Sequence, residues 1–332
     1  MQRIQSFDLA RGFIVLIMPS VHVVMLYSHP EVQQSLLGAT LQFLAEGPGA
    51  QLFMFIMGAT IVVSKTITAS KVFNRTFKLA VGGFILNLFK FCIPIQLDLI
   101  PRTFLQDFPL TDFQFLFLGD IFQFAAIAFP ITYLISRLQQ ARIIALSLAI
   151  LITLLSLFLW DLKTGIGWVD RIIGYFNGQP PETFFPILPW LVYPLLGLAI
   201  GQLVESRRFM VLGLAVIVVS LLFPATTEYT THYRTMPADT LCHIGIVILW
   251  LAIFQWLSTK IKDNYFFTLL RYCSRNISLV YVVQWLLIYW LFTIPGYLQL
   301  GLWTTLTWMT AITTTTLLLT YILKKYATRK SI

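Results

Sequence analysis

The chain has 332 residues, 58 % hydrophobic and 11 % charged, with a net charge of +9. Soluble domains carry about 25 % charged residues, so this composition excludes an ordinary soluble fold and points to a polytopic membrane protein. The basic balance is what positively charged inner loops produce, and no stretch resembles a nucleic-acid-binding module; Cys92, Cys242 and Cys273 offer neither a disulfide framework nor metal spacing, so no metal is expected.

Hydropathy predicts an all-α membrane protein with ten transmembrane helices, forming one domain over 1–332. The predicted spans are 10–28, 48–66, 76–95, 114–136, 142–160, 184–204, 209–223, 238–257, 271–292 and 301–323. With the N-terminus in the cytoplasm, 18 of the 23 Lys and Arg fall on cytoplasmic segments, and only Arg102, Lys163, Arg171 and Arg234 fall on the other side. That asymmetry predicts cytoplasmic termini at both ends. Lys90 is left inside the third span.

The first span opens with Ser6-Phe7-Asp8-Leu9-Ala10-Arg11-Gly12 and carries His22 in its apolar body. It reads as a retained anchor, with no cleavage site among small residues. An ionisable side chain inside a span costs about 2.5–3.5 kcal/mol on insertion scales and marks a functional candidate. Arg11 and His22 are eleven residues apart. At 3.6 residues per turn they share one face, about 16 Å apart, and Asp8 shares it too. His29 follows near the outer end of the same segment. His232 reads as a loop residue and His243 as a structural hydrogen-bonding group.

Further along, Gln51, Asn87, Gln123, Gln202, Gln255, Asn276 and Gln284 supply amides that either bond helices together or line a wet path. Asp120 is the acid read as lying deepest, about two turns into the fourth span. Gly58 and the Gly197/Gly201 pair allow close helix approach. The segment from Trp168 to Phe176 reads either as a short interfacial helix or as a loop with tryptophan anchors. On the cytoplasmic side Lys65, Lys71, Arg75, Arg271 and Arg275 suit an anionic ligand, although loop orientation alone also accounts for them.

Arg11, ten residues and then His22 resembles the signature of the acyltransferase type three family. The run RIQSFDLARG, followed by GPGAQLFMFIMGATI, is similar to bacterial relatives of heparan-α-glucosaminide N-acetyltransferase. Phe185 to Trp190 through Gly201 resembles the family's Pro-x-x-Pro-Trp span, Asn276 to Tyr281 its penultimate helix, and Gly119 with Gln123 a mid-chain helix. The chain departs from the pattern at Gln284, where the family often has His, and at Phe124, where it often has Arg. In lysosomal relatives an Asn stands at the position of His22 and a later loop histidine is taken as catalytic; His29 is its nearest counterpart.

The resemblance implies an enzyme that moves an acyl group, usually acetyl, from cytoplasmic acetyl-CoA or another acyl-CoA to a carbohydrate or glycolipid acceptor. It implies a bacterial inner membrane as location, with a homodimer as a further implication. Under it the expected catalytic set is His22, Arg11, Asp8 and His29, with His22 as general base or acyl carrier. The expected donor-binding set is Arg11, Lys65, Arg75, Arg275 and Asn276. The alternative reading is a non-catalytic transporter or flippase for a polar or glycolipid substrate; the lack of a carboxylate deep in the spans weighs against it.

Overall fold

The structure, a computed structural model, describes residues 4–64, 67–178, 182–206, 208–223 and 234–329. Among the described residues every regular element is helical, and extended pairing is confined to isolated bridges of Ser28 with Leu300 and Gly119 with Thr183. Among the described residues, seven helices are long and apolar enough to cross a membrane: Gln5–Tyr27, Leu36–Val63, Ala69–Gln96, Ala141–Leu159, Ile187–Glu205, Pro237–Lys260 and Leu302–Ala327. Three shorter apolar helices, Ile121–Ser136, Arg208–Ser220 and Ile277–Trp290, fall on the remaining predicted segments. Below, α1 is Gln5–Tyr27, α2 Gly49–Val63, α3 Ala69–Asn87, α4 Ile121–Ser136, α5 Ala141–Leu159, α6 Val192–Ile200, α7 Arg208–Ser220, α8 Pro237–Lys260, α9 Ile277–Trp290 and α10 Leu302–Arg329.

The side-chain pattern identifies the solvent. Helix α5 buries Ala145, Ala149, Thr153 and Ser156, while Ile143, Ile150, Leu154 and Phe158 on its other faces are exposed. A water-soluble helix has the reverse arrangement. Small residues inside and bulky apolar residues outside is the pattern of helices that pack by close approach and face hydrocarbon.

The chain divides into two compact units. The first comprises Met1–Ser6, Glu46–Ile85 and Phe117–Lys260. Its tightest seam joins α2 to α6. A Cβ on Gly58 would lie 1.9 Å from the Pro194 carbonyl oxygen, and one on Gly197 1.9 Å from that of Phe55. These glycines let the two backbones touch, as their spacing suggested. Gly58→Leu is expected to lower the unfolding midpoint of the detergent-solubilised protein clearly. Overpacking commonly costs about 1–3 kcal/mol, and here the obstacle is backbone, which cannot rotate away.

In the same unit, the helix predicted from 114 begins instead at Ile121. Asp120 is therefore not two turns inside a span: it is the N-cap of α4, accepting from the Ile121 N–H at 2.7 Å, and Gln123 completes a capping box by accepting from the Asp120 N–H at 3.2 Å. Aspartate competes for free backbone N–H groups and so starts helices more readily than it sits within them. Lys71 and Arg75, which precede the span predicted from 76, lie on the first turns of α3. The Trp168–Phe176 segment is helical, within Gly167–Asn177, and exposes Trp168, Ile172 and Phe176 along one stripe at intervals of four. Its start is fixed by Asp170, which accepts from the Thr164 N–H at 2.6 Å, the Thr164 hydroxyl at 2.8 Å and the Gly165 N–H at 3.0 Å. These bonds hold the Asp170 carboxyl below the usual carboxylate range.

The second unit comprises Phe7–Ala45, Leu86–Leu116 and Ile261–Ile332. Helix α1 runs beside the helix Tyr265–Arg275 and its continuation α9. Arg11 meets Ser274, His22 meets Trp285, and the Tyr27 hydroxyl donates to the Ile288 carbonyl at 2.5 Å. Contacts advance along both chains together, so α1 and α9 are parallel. Against α10 the order reverses: Ser20 bonds Thr313 at 3.1 Å and Ser28 bonds Thr305 at 2.8 Å.

Candidate functional site

The opening of α1 forms the first half of the site. Asp8 lies in the first turn, where the helix dipole favours a carboxylate. Arg11, one turn on, donates through Nη2 to Asp8 Oδ1 at 3.1 Å and through Nε to Ser274 Oγ at 2.9 Å. The Ser274 hydroxyl donates to the same Asp8 oxygen at 2.9 Å, which closes a triangle. The Asp8 side chain is 5 % exposed and that of Arg11 24 %. Gly12 makes the triangle possible, because a Cβ there would lie 2.0 Å from the Leu270 carbonyl oxygen. The sequence placed Asp8 and Arg11 together; it held no signal for Ser274, which arrives from 263 residues away.

His22 forms the second half, three turns along the same helix. Its imidazole is half-buried and stacks on the Trp285 indole, with ring centroids 3.9 Å apart and planes 28° apart. Trp285 is 6 % exposed, and its indole N–H has no hydrogen-bond partner among the described residues. The same indole carries a second group. The Lys90 ammonium lies 3.7 Å from the Trp285 ring centre, 4.7 Å from that of Phe91 and 5.5 Å from that of Tyr289. Lys90 is only 2 % exposed. Ring quadrupoles attract a cation placed over their faces.

Local sequence explains how a lysine turns inward there. Residues Leu88–Cys92 form a π-helical turn, and the Ile93 N–H reaches back to the Leu88 carbonyl. Pro94 follows at the start of the next helical turn. In an α-helix the proline ring would collide with the carbonyl four residues earlier, which is that of Lys90. Widening the turn removes the collision, and such π-turns recur at functional sites. The sequence did flag Lys90 as a lone cation in a span, and the lysine four residues before a proline was the additional signal available.

The remaining expected residues are placed as follows. His29 is exposed at the end of α1, where its N–H donates to the Leu300 carbonyl at 2.9 Å and it precedes the short helix Pro30–Gln33. Asn276 stands at the junction of Tyr265–Arg275 and α9, and its side chain donates to the Tyr272 carbonyl at 2.9 Å. Arg275 is exposed on the last turn before that junction. Arg75 lies over the Phe129 ring at 4.5 Å. Lys65 and His232 lie outside the described residues. His243 meets the Tyr193 hydroxyl through Nδ1 at 3.3 Å, the structural role read for it. Gln284 is fully buried, and both polar ends of its amide lack partners among the described residues.

The first unit contains a cavity of about 580 Å³, with Ser64, Tyr133, Ser136, Arg137, Gln140 and Arg142 among its lining. Arg142 also donates to the Gln202 side-chain oxygen. Two guanidinium groups with hydroxyls and an amide are the donor set that phosphate oxygens require. The predicted spans 114–136 and 142–160 put Arg137 and Arg142 at their facing ends. They converge because Gln140 adopts a left-handed backbone (φ 58°) and reverses the chain between α4 and α5.

A family model described as "Heparan-alpha-glucosaminide N-acetyltransferase, catalytic" matches residues 3–222. The match contains Asp8, Arg11, His22 and Lys90; Ser274 and Trp285 lie beyond it. No curated protein matches the chain.

Proposed function

Because the chain belongs to the heparan-α-glucosaminide N-acetyltransferase catalytic family, and is therefore a membrane acetyltransferase, we propose that it moves an acetyl group from acetyl-CoA to an amine or hydroxyl of a carbohydrate-type acceptor, with His22 as the reacting base. The observation that carries this reading is an imidazole inside an apolar span, fixed by stacking on Trp285 at 3.9 Å, within the family-matched stretch. A base of near-neutral pKa suits proton transfer at neutral pH.

In the proposed reaction the His22 imidazole takes the proton as the acceptor's oxygen or nitrogen bonds to the acetyl carbon. The thioester C–S bond breaks, and the same proton neutralises the departing thiolate. In the two-step form the imidazole nitrogen bonds the acetyl carbon as the C–S bond breaks, the ring proton going to the departing thiolate; the acceptor's oxygen or nitrogen then bonds that carbon as the N–C bond breaks, and its proton returns to the imidazole. Asp8, Arg11 and Ser274 hold the inner end of α1 and so the register of His22. Within the first unit, the guanidinium and hydroxyl groups of the Arg137–Arg142 cavity suit the donor's phosphates. Arg11, Lys65, Arg75, Arg275 and Asn276 are each kept as proposed donor-binding residues. Positive-inside charge supports cytoplasmic termini and a cytoplasmic donor, and the bacterial inner membrane is the proposed location.

The test is acetyl transfer by the purified full chain in nanodiscs, using labelled acetyl-CoA and amino-sugar or glycolipid acceptors. Label should reach the acceptor. Arg137→Gln with Arg142→Gln should raise KM for acetyl-CoA about tenfold, a loss of roughly 1.4 kcal/mol, with kcat retained. Passage of unaltered sugar across proteoliposomes, without label transfer, would show a transporter instead.

A further inference from the structure

The Lys90 ammonium is the one feature of this site that the reaction proposed above does not use. Its burial removes an ion from water, which is costly unless compensated. Phe91, Trp285 and Tyr289 supply part of that compensation, as cation–π contacts do. A fold retains a buried cation in this way when the cation has work to do elsewhere, and here the cage wall is also the surface on which His22 rests.

The geometry points to Lys90 as a positioning residue for His22. Its ammonium fixes the Trp285 indole, and the indole fixes the plane of the imidazole. Three observations converge. Lys90 and His22 both contact the same indole, at 3.7 Å and 3.9 Å. The π-turn before Pro94 aims Lys90 inward, leaving its neighbours Leu88 and Phe89 exposed. The indole N–H bonds nothing among the described residues, so ring and cation contacts, Tyr281 at 6.2 Å included, are the interactions seen around it. Tyr289 adds a third ring at 5.6 Å from Trp285 and meets Phe91 at 4.8 Å, closing the cage behind the ammonium.

The inference rests on His22 being the reacting group, so its test has one arm that reads the imidazole directly. The variants are Lys90→Met, which fills the cage without charge, and Lys90→Arg, which keeps a cation able to lie on rings. In protein carrying isotope-labelled histidine, the ring protons of His22, assigned with His22→Asn, should show an upfield ring-current displacement from the indole. That displacement should shrink in Lys90→Met and in Trp285→Leu, and largely persist in Lys90→Arg. In the transfer assay, Lys90→Met should lower kcat on the order of 10–10²-fold, as small misplacements of reacting groups do, with both KM values within about twofold. Lys90→Arg should recover activity above Lys90→Met.

Lys90→Met with an unshifted His22 signal, or with wild-type kcat, overturns the positioning role. So does a fall in unfolding midpoint shared equally by Met and Arg, which assigns the cage to structure alone. A wild-type protein that transfers no acetyl group overturns the reaction reading instead, and the His22 signal then still decides whether Lys90 orders the stack.

Discussion

His22→Ala is expected to lower acetyl transfer by roughly 10²–10⁴-fold, the contribution of a positioned acid–base group. The loss should appear in kcat, because the stacking partner Trp285 and the polar triangle at the start of α1 stay in place. The unfolding midpoint should move little, since the ring is half-buried and one stacking contact is worth about 0.5–1.5 kcal/mol. His29→Ala is expected to keep most of the activity: that residue is exposed, and its backbone, not its ring, makes the contact with Leu300. Parallel kinetics of the two variants check this. Full activity in His22→Ala with loss in His29→Ala would move the chemistry to the outer end of α1.

Arg11→Ala is expected to have the next largest effect. Removing one member of a buried ion pair costs about 3–5 kcal/mol; the quarter-exposed guanidinium brings the expected loss here nearer to about 2 kcal/mol. Asp8 would lose the guanidinium charge while keeping the Ser274 hydroxyl. Arg11→Lys should restore little, because the guanidinium uses two nitrogens in fixed directions, Nε to Ser274 and Nη2 to Asp8. The measurement is the thermal midpoint in nanodiscs with kcat beside it; an unchanged midpoint in Arg11→Ala would show that the triangle does not secure α1.

Periodicity and charge carried much of this architecture. Apolar runs located the helices, and helical spacing put Asp8, Arg11 and His22 on one stripe. What sequence could not show depends on tertiary pairing. Ser274 and Trp285 are themselves eleven residues apart, matching Arg11 and His22 on a parallel helix, but two equal spacings in distant segments do not announce that they meet. Lys90 was visible as a cation in a span; its cage was not, since it needs a π-turn and rings from α9. Asp120 misled because hydropathy averages over a cap: the apolar run from 114 is continuous in composition, while the helix starts only where Asp120 can receive backbone N–H groups. The bond from Asn276 to the Tyr272 carbonyl at a helix junction likewise had no sequence signal.

The most direct test of the central claim is a structure of the full chain with a non-transferable acetyl-CoA analogue. The account requires the analogue's carbonyl carbon within about 3–3.5 Å of a His22 ring nitrogen, the distance of a reacting pair. An analogue bound with that carbon beside His29, or anywhere out of reach of His22, would contradict it.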